Sequence, residues 1–144
     1  MSRVIRIQAA HRTRQHILQA MALAVRAAAS PETDPQVERD ILAFLDACLA
    51  ELSKSVDETA SAWEKRGYWL KADRFRQEWS WVERSSASLN QALGRRDLER
   101  SRACGMELAT HLQHVRLPAS RLQARPWAGA WKKRNGSTRN PSPT

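Results

Sequence analysis

The sequence predicts an all-α protein, an antiparallel helical bundle of about four helices with a basic C-terminal tail. Apolar residues recur at steps of three and four, glycine and proline gather at a few joints, and no stretch shows the two-residue alternation of a strand. A chain of 144 residues is long enough for one core and short for two domains. We therefore predict a helical bundle at residues 1–118 and a tail at residues 119–144.

The first predicted helix runs from about Val4 to Ala29 and stops at Ser30-Pro31. Its apolar positions at helical spacing are Ile7, Ala10, Ile17, Met21, Ala24, Val25 and Ala28. Asp34 and Pro35 then form a start signal, because an aspartate oxygen caps free backbone N–H groups and the fixed φ of proline suits the first helical position. The second predicted helix begins there and ends near Gly67.

The third predicted helix shows the most regular apolar period in the chain. Its seam consists of Tyr68, Ala72, Phe75, Trp79, Val82, Ser86, Leu89 and Leu93. Gly94 can end this helix, and Asp97 can cap a fourth helix at about 98–116, which Pro118 closes. The connection between the third and fourth helices is very short, which predicts that they run antiparallel.

Residues 119–144 accumulate proline, glycine, serine and asparagine, and we expect this tail to be partly disordered without a partner. Trp127 and Trp131 are four residues apart, and the basic run Lys132, Lys133 and Arg134 follows at once. Paired tryptophans can anchor a flexible segment on a partner, either by stacking on bases or by filling a groove on a protein. The alternative is that both rings fold back onto the bundle of the same chain.

The positive charge of the chain is concentrated at its two ends. The sequence has 24 Lys and Arg against 15 Asp and Glu, a formal net charge of +9. Residues 1–31 and 108–144 together hold twelve of the basic residues and none of the acidic ones. Such segregation favours a polyanionic partner, and we expect folding to gather the two ends into one electropositive surface.

A second face of the third predicted helix combines aromatic, apolar and cationic side chains. Leu70, Arg74, Gln77, Trp81 and Arg84 fall opposite the seam at 100° per residue. Indole and guanidinium groups side by side can hold unstacked bases while neutralising phosphates. The same pattern also fits a surface that docks a protein, or a helix that is buried on both sides.

Catalytic motifs are missing from the sequence, so we predict a protein that is not an enzyme and has no cofactor. It contains no glycine-rich phosphate loop, no nucleophile elbow and no pair of Glu-x-x-His motifs. Glu107, His111 and His114 share one helical face, a spacing that could supply three metal ligands, but nothing nearby completes a site. We therefore predict no metal.

Cysteine usage and hydropathy bear on where the protein works. Cys48 and Cys104 lie in apolar patterns without CxxC spacing, which is typical of a reducing compartment. No apolar run approaches the ~18 residues of a membrane span. We therefore predict a cytoplasmic protein with no membrane partner, although the Arg-rich, acid-free start also resembles a mitochondrial targeting segment.

These observations favour a non-catalytic basic subunit that binds a nucleic-acid backbone, RNA or single-stranded DNA, within a larger ribonucleoprotein. The predicted nucleic-acid-binding residues are Arg3, Arg6, Arg12, Arg14, Arg74, Trp81, Arg84, Arg121, Arg125, Lys132, Lys133 and Arg134. The alternative is a protein-interaction or oligomerisation module that uses the seam and the tail tryptophans. Such a module would bind protein partners or a second copy of the chain.

In size, charge and helical content the chain resembles the small helical subunits of multisubunit CRISPR effector complexes. The resemblance is one of architecture and assigns no role to any residue. It implies a subunit that lines a nucleic-acid channel beside other proteins of an antiviral complex.

Overall fold

The computed structural model describes the backbone of residues 2–138 and the side chains of residues 8–136, and within this range the chain is all-helical, with no strand. The helices are α1 (Ser2–Ala28), α2 (Pro35–Lys65), α3 (Trp69–Glu78), α4 (Ser80–Gly94), α5 (Leu98–Leu112) and α6 (Ala130–Thr138), with a 3₁₀ turn at Ala119–Arg121. The predicted all-α class is confirmed. None of the described helices is long and apolar enough to cross a membrane.

Two of the helices begin where their capping residues predict. The Asp34 Oδ1 atom accepts a hydrogen bond from the Gln36 backbone N–H at 2.7 Å, and Pro35 opens α2. The Asp97 Oδ1 atom accepts from the Arg100 N–H at 3.0 Å at the start of α5. Each carboxylate satisfies a backbone donor that the helix itself cannot pair, so both predicted starts are confirmed.

Helix α2 is the centre of the fold, because it packs against each of the other five helices. Helix α5 packs against both α1 and α4, so these four long helices share one core. The largest fully buried apolar side chains are Met21, Ile41, Leu45, Leu49, Leu52, Val82, Leu89, Leu108 and Leu112. Each contributes roughly 1.5 to 3 kcal/mol of transfer free energy, which makes this core the main source of stability.

The third predicted helix is interrupted at Trp79, and this corrects the expectation of one continuous helix. Trp79 has φ −100° and ψ 9°, and it separates α3 from α4. The Ser80 hydroxyl donates to the Gln77 carbonyl at 2.9 Å, a side-chain bond that competes with the helical backbone pattern. The seam faces inward on both sides of the break, since Ala72, Val82, Leu89 and Leu93 are buried. Its first predicted residue, Tyr68, is a correction, because that side chain is 55% exposed.

The core continues beyond residue 118, where the bundle was expected to end. Trp127 is 3% exposed and belongs to the same core cluster as the helices. The Asp40 carboxylate accepts hydrogen bonds from the backbone N–H groups of Gly129 at 3.3 Å and Trp131 at 2.9 Å, which holds the start of α6 against α2. The described part of the tail therefore packs on the body, while residues 139–144 lie outside the described range.

Candidate nucleic-acid interface

An open groove of about 650 Å³ lies where α2 ends and α3 begins. We call it the corner groove and define it by Trp63, Tyr68, Trp69, Leu70, Lys71 and Arg74. Three consecutive large side chains stand out into solvent there, with exposed fractions of 55% for Tyr68, 66% for Trp69 and 63% for Leu70. Adjacent exposed side chains of this size make the groove a candidate interaction surface.

The turn at Gly67 creates the groove. Gly67 has φ +83°, a conformation that residues with a Cβ rarely adopt, and its N–H bonds the Glu64 carbonyl at 2.9 Å. The Tyr68 N–H reaches the Trp63 carbonyl at 2.9 Å, so the end of α2 is satisfied before the chain turns away. The first turn of α3 therefore starts at the corner, with its large side chains outside the core.

Cationic side chains lie directly beside the aromatic rings of the corner groove. The Lys71 ammonium is 4.6 Å from the centre of the Trp63 ring, a cation–π contact. Lys71 and Arg74 are both exposed, and neither forms an ion pair with a carboxylate of the described residues. Glu78 is the one acidic side chain in the lining. The groove therefore presents apolar rings with a net positive rim.

An aromatic column extends from this groove through the fold. Its successive ring pairs are Trp63–Phe75 at 5.0 Å, Phe75–Trp79 at 6.2 Å, Trp79–Trp81 at 6.2 Å and Trp81–His111 at 4.6 Å between centres. The imidazole of His111 lies flat on the Trp81 indole, with 9° between the planes. The column thus joins α2, α3, α4 and α5 through direct ring contacts.

The expected face of Arg74, Trp81 and Arg84 is not a single exposed surface, and this is a correction. Trp81 is half-buried, and its ring stacks between those of Trp79 and His111 within the aromatic column. Arg84 is exposed on α4 and donates to the Ser80 hydroxyl at 3.0 Å. Arg74 instead belongs to the corner groove on α3.

Arg14 is buried, which corrects its assignment to a phosphate-binding surface. Its side chain is 3% exposed, and its Nη1 donates to the hydroxyls of Ser55 and Thr59, both at 3.0 Å. The guanidinium carbon lies 5.0 Å from the centre of the Phe75 ring and 5.9 Å from that of Trp79. Within the described residues its Nε has no acceptor, and burial lowers the pKa of this guanidinium. Arg14 therefore lies at the joint between α1, α2 and the aromatic column rather than on the surface.

The other predicted residues of the N-terminal segment have different outcomes. Arg12 is exposed on α1 and remains a candidate for a phosphate contact. The side chains of Arg3 and Arg6 lie outside the described residues.

Trp127 is not an exposed partner anchor, because its ring fills the core of its own chain. The guanidinium carbon of Arg125 lies 5.7 Å from the centre of that ring, and the Arg125 residue is exposed. Trp131 is half-buried and lines a smaller cavity of about 230 Å³ beside Arg39 and Arg96. For Trp127 the structure therefore agrees with the alternative prediction, in which the ring folds back onto the bundle of its own chain.

The remaining basic residues of the tail divide by exposure. Lys132 and Lys133 are exposed, and Arg121 is half-buried. Arg134 pairs with Asp46 of α2 at 3.3 Å, so one tail cation is partly neutralised by the acidic middle of the chain.

The two basic ends of the chain reach different parts of α2. Arg14 contacts Ser55 and Thr59, whereas the start of α6 is bound at Asp40 and Arg134 at Asp46. At 1.5 Å per residue these levels are on the order of 20 Å apart along the helix. Arg14 and Arg134 therefore do not share one surface. The two ends do meet elsewhere, because the Arg26 Nη2 donates to the Val115 carbonyl at 2.7 Å, next to the exposed Arg116.

Histidine and cysteine side chains form no metal cluster in the described part of the chain. His111, one member of the spacing noted above, is instead occupied by stacking on Trp81. Cys48 and Cys104 are both buried free thiols, and burial raises the pKa of Cys48 to about 12. A thiol held protonated in this way is a poor nucleophile and a poor ligand.

Sequence reasoning missed Tyr68, Trp69 and Leu70 as one exposed group. Helical spacing assigned Tyr68 to the seam and Leu70 to the opposite face, and it assigned Trp69 to neither. Three large apolar residues directly after a glycine that ends a helix cannot all face one core. That crowding was the available sign of an exposed cluster.

No protein-family model, curated protein or solved structure matches this chain.

Proposed function

We propose that the protein is a non-catalytic antiparallel helical bundle that binds a nucleic-acid backbone, RNA or single-stranded DNA, as a cytoplasmic subunit of a larger ribonucleoprotein. The supporting observation is the excess of cations without carboxylate partners. Among the side chains of residues 8–136, ion pairs within 4 Å involve Arg76, Arg102 and Arg134. The exposed cations outside these pairs are Arg12, Arg26, Arg39, Lys54, Lys65, Arg66, Lys71, Arg74, Arg84, Arg95, Arg96, Arg100, Arg116, Arg125, Lys132 and Lys133.

Cations of this kind favour a polyanion because each phosphate contact releases condensed counterions. The gain in free energy comes mainly from the entropy of those ions, so affinity depends on charge and hardly on base sequence. Exposed Lys65, Arg66, Lys71 and Arg74 follow one another around the turn between α2 and α3, which supports contacts with several phosphates of one strand. The resemblance to the helical subunits of CRISPR effector complexes supports a position beside a nucleic-acid channel.

The first experiment is a titration of a fluorescent RNA strand with the purified chain at several salt concentrations. We expect the logarithm of the binding constant to fall linearly with the logarithm of the salt concentration. The double variant Arg74→Ala/Arg84→Ala should bind more weakly with an unchanged melting curve, since both side chains are exposed. Binding that is absent or indifferent to salt contradicts the proposal.

The control variant is Arg76→Ala/Arg102→Ala, which makes the same change in net charge. Both of these arginines are held by carboxylates, Arg76 by Asp57 and Glu64 and Arg102 by Glu38. Removing them should weaken RNA binding less than removing Arg74 and Arg84. Copurification from the native host, with the ratio of absorbance at 260 and 280 nm recorded, then tests for a ribonucleoprotein.

A second candidate function is that of a protein-interaction or oligomerisation module. The exposed apolar side chains of Tyr68, Trp69 and Leu70, and Met106 on α5, favour it. An apolar interface tolerates or prefers high salt, whereas phosphate contacts weaken. Sedimentation of the purified chain at low and high salt therefore separates the two functions.

A further inference from the structure

The corner groove combines exposed apolar side chains with cations. It holds the adjacent exposed faces of Tyr68, Trp69 and Leu70, and it has cations in its own lining at Lys71 and Arg74. Its volume of about 650 Å³ lies within the range of roughly 300 to 1,000 Å³ that is typical of small-molecule sites.

The charged side chains around the groove indicate the kind of ligand that it can bind. Lys65 and Arg66 immediately precede the Gly67 turn and are exposed, so they add positive charge near the groove although neither lines it. Of the nearby acids, Glu64 is bound by Arg76 at 3.1 Å, which leaves Glu78 and Asp73 as the local negative charges. The rim is therefore positive overall, which complements phosphates.

We infer that the corner groove binds unstacked bases of a single strand, an inference that rests on the proposed function and names its ligand class. The rings of Tyr68 and Trp69 stack against successive bases, and Lys71 and Arg74 neutralise the phosphates between them. Aromatic stacking accepts every base because each has a π face, so the site is indifferent to sequence. A duplex is excluded, because its base faces are already covered by their neighbours.

The test compares three probes of equal length: a uridine oligonucleotide, an abasic strand that keeps the phosphates, and an RNA duplex. We expect Trp69→Ala to lower affinity for the uridine strand about ten-fold and to leave affinity for the abasic strand and the duplex unchanged. Trp69→Phe should restore most of the loss, because a phenyl ring still stacks. Met106→Ala is the matched control, since Met106 is 75% exposed and lies on α5.

Each outcome has a distinct meaning. If Trp69→Ala binds the uridine strand as tightly as the unchanged protein does, the groove assignment is overturned. Salt-dependent binding of the abasic strand would still support the proposed function in that case. A chain that binds none of the three probes overturns both. Loss of self-association in Trp69→Ala with unaltered uridine binding would assign the groove to a second copy of the chain and overturn the inference. Melting curves establish that each variant is folded.

Discussion

Replacing Trp127 with alanine should destabilise the whole molecule, although this residue lies in a segment of tail-like composition. The side chain is 3% exposed and is packed in the same cluster as residues of the long helices. Its removal exposes apolar surface to water and leaves a cavity that the surrounding helices fill only in part.

The expected cost is about 3 to 5 kcal/mol, the range for truncating a buried aromatic residue. Because the free energy of unfolding of a domain is only about 5 to 15 kcal/mol, this is a large fraction of the total. At roughly 2 to 4 °C per kcal/mol for a chain of this length, the melting temperature should fall by about 6 to 20 °C.

Urea unfolding followed by circular dichroism measures this cost, and Trp69→Ala provides the matched control. Both variants lose an indole, but Trp69 is 66% exposed, so its removal should change the free energy of unfolding by no more than ~0.5 kcal/mol. A truncation after residue 118 should lose at least as much stability as Trp127→Ala. Coincident unfolding curves for the two tryptophan variants would refute the reasoning.

Three further substitutions test other contacts. Arg14→Met should change the free energy of unfolding by less than ~1 kcal/mol or raise it, because it removes a desolvated charge and keeps the packing. Arg14→Ala should be ~2 kcal/mol less stable than Arg14→Met, because it also loses that packing. The reverse order of the two variants in urea titrations would contradict this. Asp40→Ala should lower the free energy of unfolding by ~1 kcal/mol, since the backbone N–H groups at the start of α6 lose their acceptor. The same change should speed tryptic cleavage at Lys132 and Lys133. Equal cleavage rates in the variant and the unchanged protein would argue against this cap. The difference in stability between the unchanged protein and Cys48→Ala should be constant below pH 9, and the unchanged protein should lose stability relative to the variant as the pH rises toward 12. The reason is that the thiol ionises near its ordinary pKa of 9.0 in the unfolded chain, whereas burial raises this pKa to about 12 in the folded protein. Parallel curves of stability against pH would exclude this coupling.

Local chemistry made the helix starts predictable. Asp34 with Pro35, and Asp97 after a glycine joint, act on backbone groups within three residues of themselves, so the sequence neighbourhood contains the whole interaction. The apolar period likewise located the buried side of α3 and α4. The break at Trp79 escaped prediction because both halves keep the same inward stripe.

The features that could not be predicted depend on contacts between residues that are far apart in the sequence. Arg14 finds its hydroxyl partners 41 and 45 residues away, and an arginine in a basic helix gives no sign of them. Trp127 lies among prolines and glycines, a composition that normally indicates disorder, and only the tertiary fold offers it a cavity. The separation of Arg14 from Arg134 has the same origin, since it depends on where each segment docks on α2.

The central position of α2 determines how the molecule opens. This helix is about 46 Å long and is covered by all five of the others, so its middle amides can exchange with solvent only when the whole core comes apart. Helix α6 is only nine residues long, and it is held on α2 by the hydrogen bonds at Asp40 and the Arg134–Asp46 ion pair. A partner that displaced α6 would uncover the Asp40 to Asp46 surface of α2, and it would have to replace the contacts that these two carboxylates make.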